Sequence, residues 1–220
     1  MKKLRLSYFQ KNHRLFIGYA SAIALSLFVP LNANAVPQSN ASLTQLSGQE
    51  QTTLKAGRVV VTGEKGHYTG RVLVTAPLNT AWNVLTDYDH FKNFLPGVVS
   101  SKILQNNGDQ TIFEQINVVK VFLFTKKSRL VIAASKHYPS QIDFQLRSGE
   151  IKSLNGLWRL DLISSNQVLI TQDVTFDPGS SGPRNLVFNI YKNALADSLK
   201  AIKQETERRS VLASSVGYPS

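Results

Sequence analysis

V-L-V-T-A-P-L-N-T-A-W-N-V-L-T-D-Y-D-H-F-K-N-F-L-P-G-V-V, from Val72 to Val99, reads as a strand end, a short helix, a sharp break, a second helical turn and the start of another strand. Val72 and Val74 alternate with Leu73 and Thr75, which is the period of a strand. Pro77 withholds a ladder donor and suits the first turn of a helix. Ala81, Trp82, Leu85 and Tyr88 recur at helical spacing and give that helix one apolar face. Asp89 is placed to cap a second turn carrying Phe91, Phe94 and Leu95. Pro96-Gly97 ends that turn before Val98 and Val99 resume extended chain. Two helices this short cannot close a core, so the remainder of the chain must supply a sheet.

The flanking sequence supplies it. Upstream, Val59-Val60-Val61 and His67–Thr75 read as strands joined by a turn at Gly63–Gly66. Downstream, Ser101–Gln105 continues a strand and Asn106-Asn107-Gly108-Asp109 turns it back. Thr111–Phe124 and Ser128–Lys136 are strand-like, with Lys126-Lys127 marking an exposed bend between them. Ile142, Phe144 and Leu146 alternate with polar residues, as do Trp158, Leu160 and Leu162. Val168, Ile170, Val174 and Phe176 share a face with Gln172. No helical pattern interrupts this run, so the strands are expected to pair as an antiparallel meander. After a Gly/Ser/Pro loop at Pro178–Pro183, Arg184–Arg209 reads as one long helix. Its apolar stripe includes Val187, Tyr191, Leu195, Leu199 and Ile202. The predicted class is α+β: a curved antiparallel sheet of about seven strands around a long C-terminal helix, with two short helices after the first strand.

The 220 residues carry a formal charge of +11 and no cysteine. Lys2, Lys3, Arg5, Lys11 and Arg14 place +5 of that charge before residue 36, leaving +6 spread over a mixed surface with no block of like charge. That dispersal reads as a solvated mixed surface; it argues against a nucleic-acid partner and leaves only a weak case for a transient membrane-surface contact. The absence of cysteine excludes disulfides, thiolate metal sites and a cysteine nucleophile. Residues 1–35 read as a signal peptide, with basic residues, an apolar run from Leu15 to Val29, Pro30, and Ala33-Asn34-Ala35 at the cleavage point. The expected mature chain starts at Val36 and is exported to periplasm, thylakoid lumen or the extracellular space. Residues 36–56 are rich in Ser, Gln, Thr and Asn and are expected to form a flexible leader. The folded domain is then 57–209, followed by a weakly patterned tail, 210–220.

The string Thr75–Val98, with its Ala-Pro, Trp82, Leu85-Thr86-Asp87 and Phe94-Leu95-Pro96, resembles the START-like (SRPBCC) superfamily. Gly149–Leu160 is similar to that family's Gly-x-Trp strand, and the C-terminal helix is the third part of the likeness. The similarity spans roughly residues 58–209 and is strongest to the polyketide cyclase/dehydrase and coenzyme-Q-binding branch, in its exported cyanobacterial form. It implies the helix-grip fold with a cavity between sheet and long helix that holds a hydrophobic or lipid-like small molecule. An isoprenoid or quinone is of this kind. The same likeness admits a cyclase or aromatase using that cavity, with Glu114 or Tyr191 as proton carrier.

The residues themselves offer little catalysis. His67, His90 and His137 show no metal-binding spacing. Ser128, Ser135 and Ser153 lack a nucleophile elbow, and Gly179-Ser180-Ser181-Gly182 lacks the lysine of a phosphate loop. No catalytic residue, metal or cofactor is expected. Asp87 and Asp89 are expected to cap the break between the short helices. Gln172 interrupts an apolar face, and a buried amide needs a partner, either a ligand's polar head or a neighbour such as Tyr191. Trp158 either lines the cavity or fills the core. The candidate cavity lining is Trp82, Phe91, Phe94, Leu95, Phe144, Trp158, Gln172, Phe188, Tyr191 and Leu195.

Overall fold

The computed structural model describes residues 41–121, 124–180 and 183–216, all within one unit of the chain, Val36–Ser220. The expected signal peptide, residues 36–40, Ser181 and Gly182 lie outside the described residues. Two helices, α1 (Ala41–Thr44) and α2 (Gly48–Lys55), precede strands β1 (Val60–Glu64) and β2 (His67–Val74). Then come α3 (Leu78–Leu85), a 3₁₀ turn at Tyr88–His90 and α4 (Phe91–Phe94). Six strands follow: β3 (Val98–Asn107), β4 (Gln110–Val121), β5 (Phe124–His137), β6 (Gln141–Gly149), β7 (Ser153–Ser164) and β8 (Gln167–Asp177). Helix α5 (Arg184–Val216) closes the chain. The sheet has eight antiparallel strands in the order β1-β2-β8-β7-β6-β5-β4-β3. The predicted meander is therefore β3 to β8, with β2 returning beside β8.

The architecture is the helix-grip arrangement expected, with corrections. The strand count is eight, because the short β1 pairs with β2 along its length, and the short helices follow the second strand. Lys126 and Lys127 are exposed but lie within β5, not in a bend, because β5 starts at Phe124. Helix α5 runs to Val216, taking up much of the expected tail.

The largest difference is the leader. Its described part is helical, because Ser47 and Glu50 form a reciprocal capping box: the Ser47 hydroxyl accepts from the Glu50 N–H, and the Glu50 carboxylate accepts from the Ser47 N–H at 3.2 Å. Helix α2 is then pinned to the sheet. Leu54 is wholly buried with Leu43, Leu73 and Leu169, and Glu50 pairs with Arg71 at 3.1 Å. Leu73 and Leu169 are registered opposite one another and face the outside of the sheet. The helices thus cover part of the convex face.

The concave face follows from register. Val168, Ile170, Gln172, Val174 and Phe176 of β8 point inward, opposite Val74, Val72, Gly70 and Tyr68 of β2. The same face continues through Leu154, Gly156, Trp158 and Leu160, then Ile142, Phe144 and Leu146, then Ala134 and Ile132, to Phe113. Helix α5 lies against β2 and β1 and against α3. Leu195 and Leu199 of α5 rest on Gly70, whose missing side chain permits the approach.

Candidate functional site

Because α5 sits over the β1–β2 side, the inner face of β4 to β7 is not sealed by helix. Leu130, Phe144, Leu146, Ile151 and Trp158 are only partly buried there, although the core cluster continues beneath them. Opposite, Val187 and Tyr191 of α5 are partly buried too, as are Phe91 and Leu95 beside α4. This half-wet apolar lining between sheet and helix is the candidate site.

The polar groups on it are few. Gln172 is buried, with Gly70 on one side and Trp158 on the other. Neither its amide nor the Trp158 indole has a side-chain hydrogen-bond partner among the described residues. Gln115 turns inward and donates to Asn117 at 2.7 Å. Tyr191 stacks on Phe176 at 4.2 Å between centroids and on Tyr68 at 5.8 Å. Burial, and then the neighbouring Tyr68, push the Tyr191 hydroxyl above the ordinary tyrosine range, so it stays protonated. Tyr88 stacks on Phe113 at 4.3 Å, and burial pushes its hydroxyl up as well.

The expected lining residues divide. Phe91, Leu95, Phe144, Trp158, Gln172 and Tyr191 are brought to this gap. Trp82 is buried on α3 and meets Tyr138 edge-on at 5.2 Å. Phe188 is buried against Phe176 and Gly66, and Leu195 is wedged on Gly70. Phe94 packs under the Arg209 guanidinium, 5.9 Å from the ring centre, and faces a charged recess instead. Sequence reasoning overlooked Leu130 and Asn117, since only register tells which face they take, and it left out Leu146 although alternation puts it on the face of Phe144.

That recess, about 440 Å³, is lined by Asp87, His90, Asn93, Phe94, Glu205, Arg208 and Arg209. Asp87 does not cap a helix. It accepts from Arg209 at 2.8 Å and pairs with His90 at 2.6 Å, while Glu205 holds Arg208 and Arg209, each at 2.7 Å. Asp89 accepts from the Ile103 N–H at 2.7 Å, tying the 3₁₀ turn to β3. Glu114 points outward to Arg129 and is away from the gap. Among the described residues no cluster of three metal-ligating side chains occurs.

With this geometry in place, comparison with known proteins is direct. The profile of the family described as polyketide cyclase/dehydrase and lipid transport matches residues 74–203. The chain belongs to that family. Among solved structures, the Zhui aromatase/cyclase of a Streptomyces species matches with TM-score 0.55 and 19% identity, over 65% of this chain and 94% of that one. A STAR-related lipid transfer protein from Xanthomonas axonopodis matches with TM-score 0.54 and 19% identity, over 67% and 92%. A START superfamily protein from Mycobacterium smegmatis matches with TM-score 0.53 and 15% identity, over 71% and 99%. No curated protein sequence matches. At these identities the solved structures establish the START fold. The polyketide cyclase/dehydrase and lipid transport family therefore accounts for the ligand-binding architecture, and the ligand has to be argued from the site.

Proposed function

We propose that the chain is an exported binding module for a hydrophobic or lipid-like small molecule, of isoprenoid or quinone type, held between the inner face of the sheet and α5. The observation that carries this reading is Gln172 beside Trp158. Two hydrogen-bonding side chains without side-chain partners stand next to each other on a partly buried apolar surface. The Gln172 residue is 8% exposed, and its amide can donate to an oxygen at one end of an apolar ligand. Affinity would come from apolar burial, at about 25 cal/mol per Å², with the amide setting orientation. The family's lipid-transport description supports the same class of ligand.

A cyclase or aromatase is the second reading, favoured by Tyr191 alone, whose half-buried side chain keeps a protonated hydroxyl that can donate to a carbonyl. Organic extraction of the purified chain followed by mass spectrometry tests the first reading. The expected result is a retained apolar small molecule, depleted in Gln172→Leu. If nothing is retained and isoprenoid quinones fail to raise the melting temperature, the binding reading fails. Turnover of a polyketide substrate lost in Tyr191→Phe, with the fold intact, would favour the enzyme.

A further inference from the structure

Among the described residues, two buried side-chain hydroxyls have no hydrogen-bond partner, those of Tyr88 and Thr206. They are not equivalent. Thr206 lies within α5, where a rotation about its first side-chain bond brings the hydroxyl to the carbonyl one turn back. Tyr88 has no such local remedy, because its phenol oxygen stands at the far end of a rigid ring. That ring is held by two others: it stacks on Phe113 of β4 at 4.3 Å and meets Phe91 edge-on at 5.4 Å. The backbone around it is tied as well. The Tyr88 carbonyl accepts from the Ser101 hydroxyl, Asp89 accepts from the Ile103 N–H at 2.7 Å, and Asp87 accepts from Arg209 at 2.8 Å. The turn is therefore held against swinging the hydroxyl out to water, and Tyr88 is 4% exposed. A buried hydroxyl that makes no hydrogen bond disfavours the fold, so its place there is explained by what it can bind. A buried water needs two to four polar partners, and the rings that Tyr88 touches, Phe91 and Phe113, supply none.

We propose that the Tyr88 hydroxyl is a second polar anchor of the gap, bonding an oxygen at the end of the ligand opposite to the one that Gln172 meets. Phe91, which Tyr88 touches, borders the gap, and Phe113 belongs to the inner face of the sheet. Burial keeps the phenol protonated, so it can donate to a carbonyl or a hydroxyl. Strand order sets the span between the two anchors. Phe113, beneath the Tyr88 ring, is on β4, and Gln172 is on β8, with β5, β6 and β7 between them. Four strand spacings are about 19 Å along the curve of the sheet, more than one small headgroup covers. The inference rests on the reading that the gap holds an apolar ligand, and it narrows that ligand to an elongated molecule with a hydroxyl or carbonyl at each end.

Binding of 1,16-hexadecanediol and of 1-hexadecanol to the full chain, delivered from cyclodextrin and followed by tryptophan fluorescence, tests it. The wild type should bind the diol about fivefold more tightly than the alcohol. Tyr88→Phe should lose that preference and bind the alcohol as the wild type does. Without either probe, its melting temperature should stay at the wild-type value or rise, since the hydroxyl has no partner to lose. Thr206→Val should keep the preference. Equal wild-type affinity for the two probes, or a preference that survives Tyr88→Phe, would overturn the role of Tyr88 while leaving the binding reading intact. So would a preference lost equally in Thr206→Val, or a clear fall in the melting temperature of probe-free Tyr88→Phe, which would give the hydroxyl a structural partner. Binding of neither probe would count against the binding reading itself, and this inference would fall with it.

Discussion

A β-carbon at Gly70 would meet Leu199 Cδ1 at 2.4 Å and Leu195 Cγ at 3.4 Å. Gly70→Ala is therefore expected to destabilise the fold by about 1–3 kcal/mol, by lifting α5 off β2, as chemical denaturation would measure. Gln172, its neighbour across β2 and β8, behaves oppositely. Its side chain makes no side-chain hydrogen bond among the described residues, so Gln172→Leu should leave the denaturation midpoint near the wild-type value while weakening ligand retention. A variant that unfolds would show that the amide has a structural role. The two residues also differ in legibility. Gln172 stands out in sequence as a polar break in an apolar alternation. Gly70 does not, because what demands glycine there is a helix more than a hundred residues downstream.

At the scale of elements, α2 belongs to the fold although its sequence reads as leader. Leu54→Ala should cost about 2–5 kcal/mol, and a chain starting at Gly57 should melt at lower temperature because Leu73 and Leu169 lose their cover. Leu54 is the one large apolar residue in the eight of α2, so no amphipathic period exists to read. The capping box Ser47-Gly48-Gln49-Glu50 was the available signal.

The 3₁₀ turn and α4 are clasped to α5 through Asp87 and Arg209. Arg209→Ala should cost about 1.5–3 kcal/mol and speed hydrogen exchange over 88–95. The same clasp is pH-dependent. Hydrogen bonding from Arg208, then from Arg209, draws Glu205 from 4.5 to about 2 against the cost of its burial. A carboxylate lowered in the folded state contributes its stability fully above its unfolded value and loses it as pH falls through the folded value. Denaturation midpoints should therefore decline from about pH 5 toward about pH 2, and Glu205→Gln should flatten that decline.

For the whole molecule, a ligand in the gap binds the folded state only. At about a hundred times its Kd it should add about 2.7 kcal/mol to stability, read as a rise in melting temperature. The order of strands and helices, the long C-terminal helix and the family string around Trp82 were all legible in the chain, because strand and helix periods are local properties. The gap itself was not. Phe144 and Phe188 are equally apolar in sequence, yet one lines the gap and the other fills the core. Glu114 and Gln115 are adjacent, yet one meets Arg129 outside and the other faces in. By itself the sequence determined the elements and their order, since these depend on residues a few positions apart. Only the tertiary structure decided which side chains face the gap, since that depends on strand register and on contacts such as Leu199 with Gly70 and Arg209 with Asp87, which join distant parts of the chain.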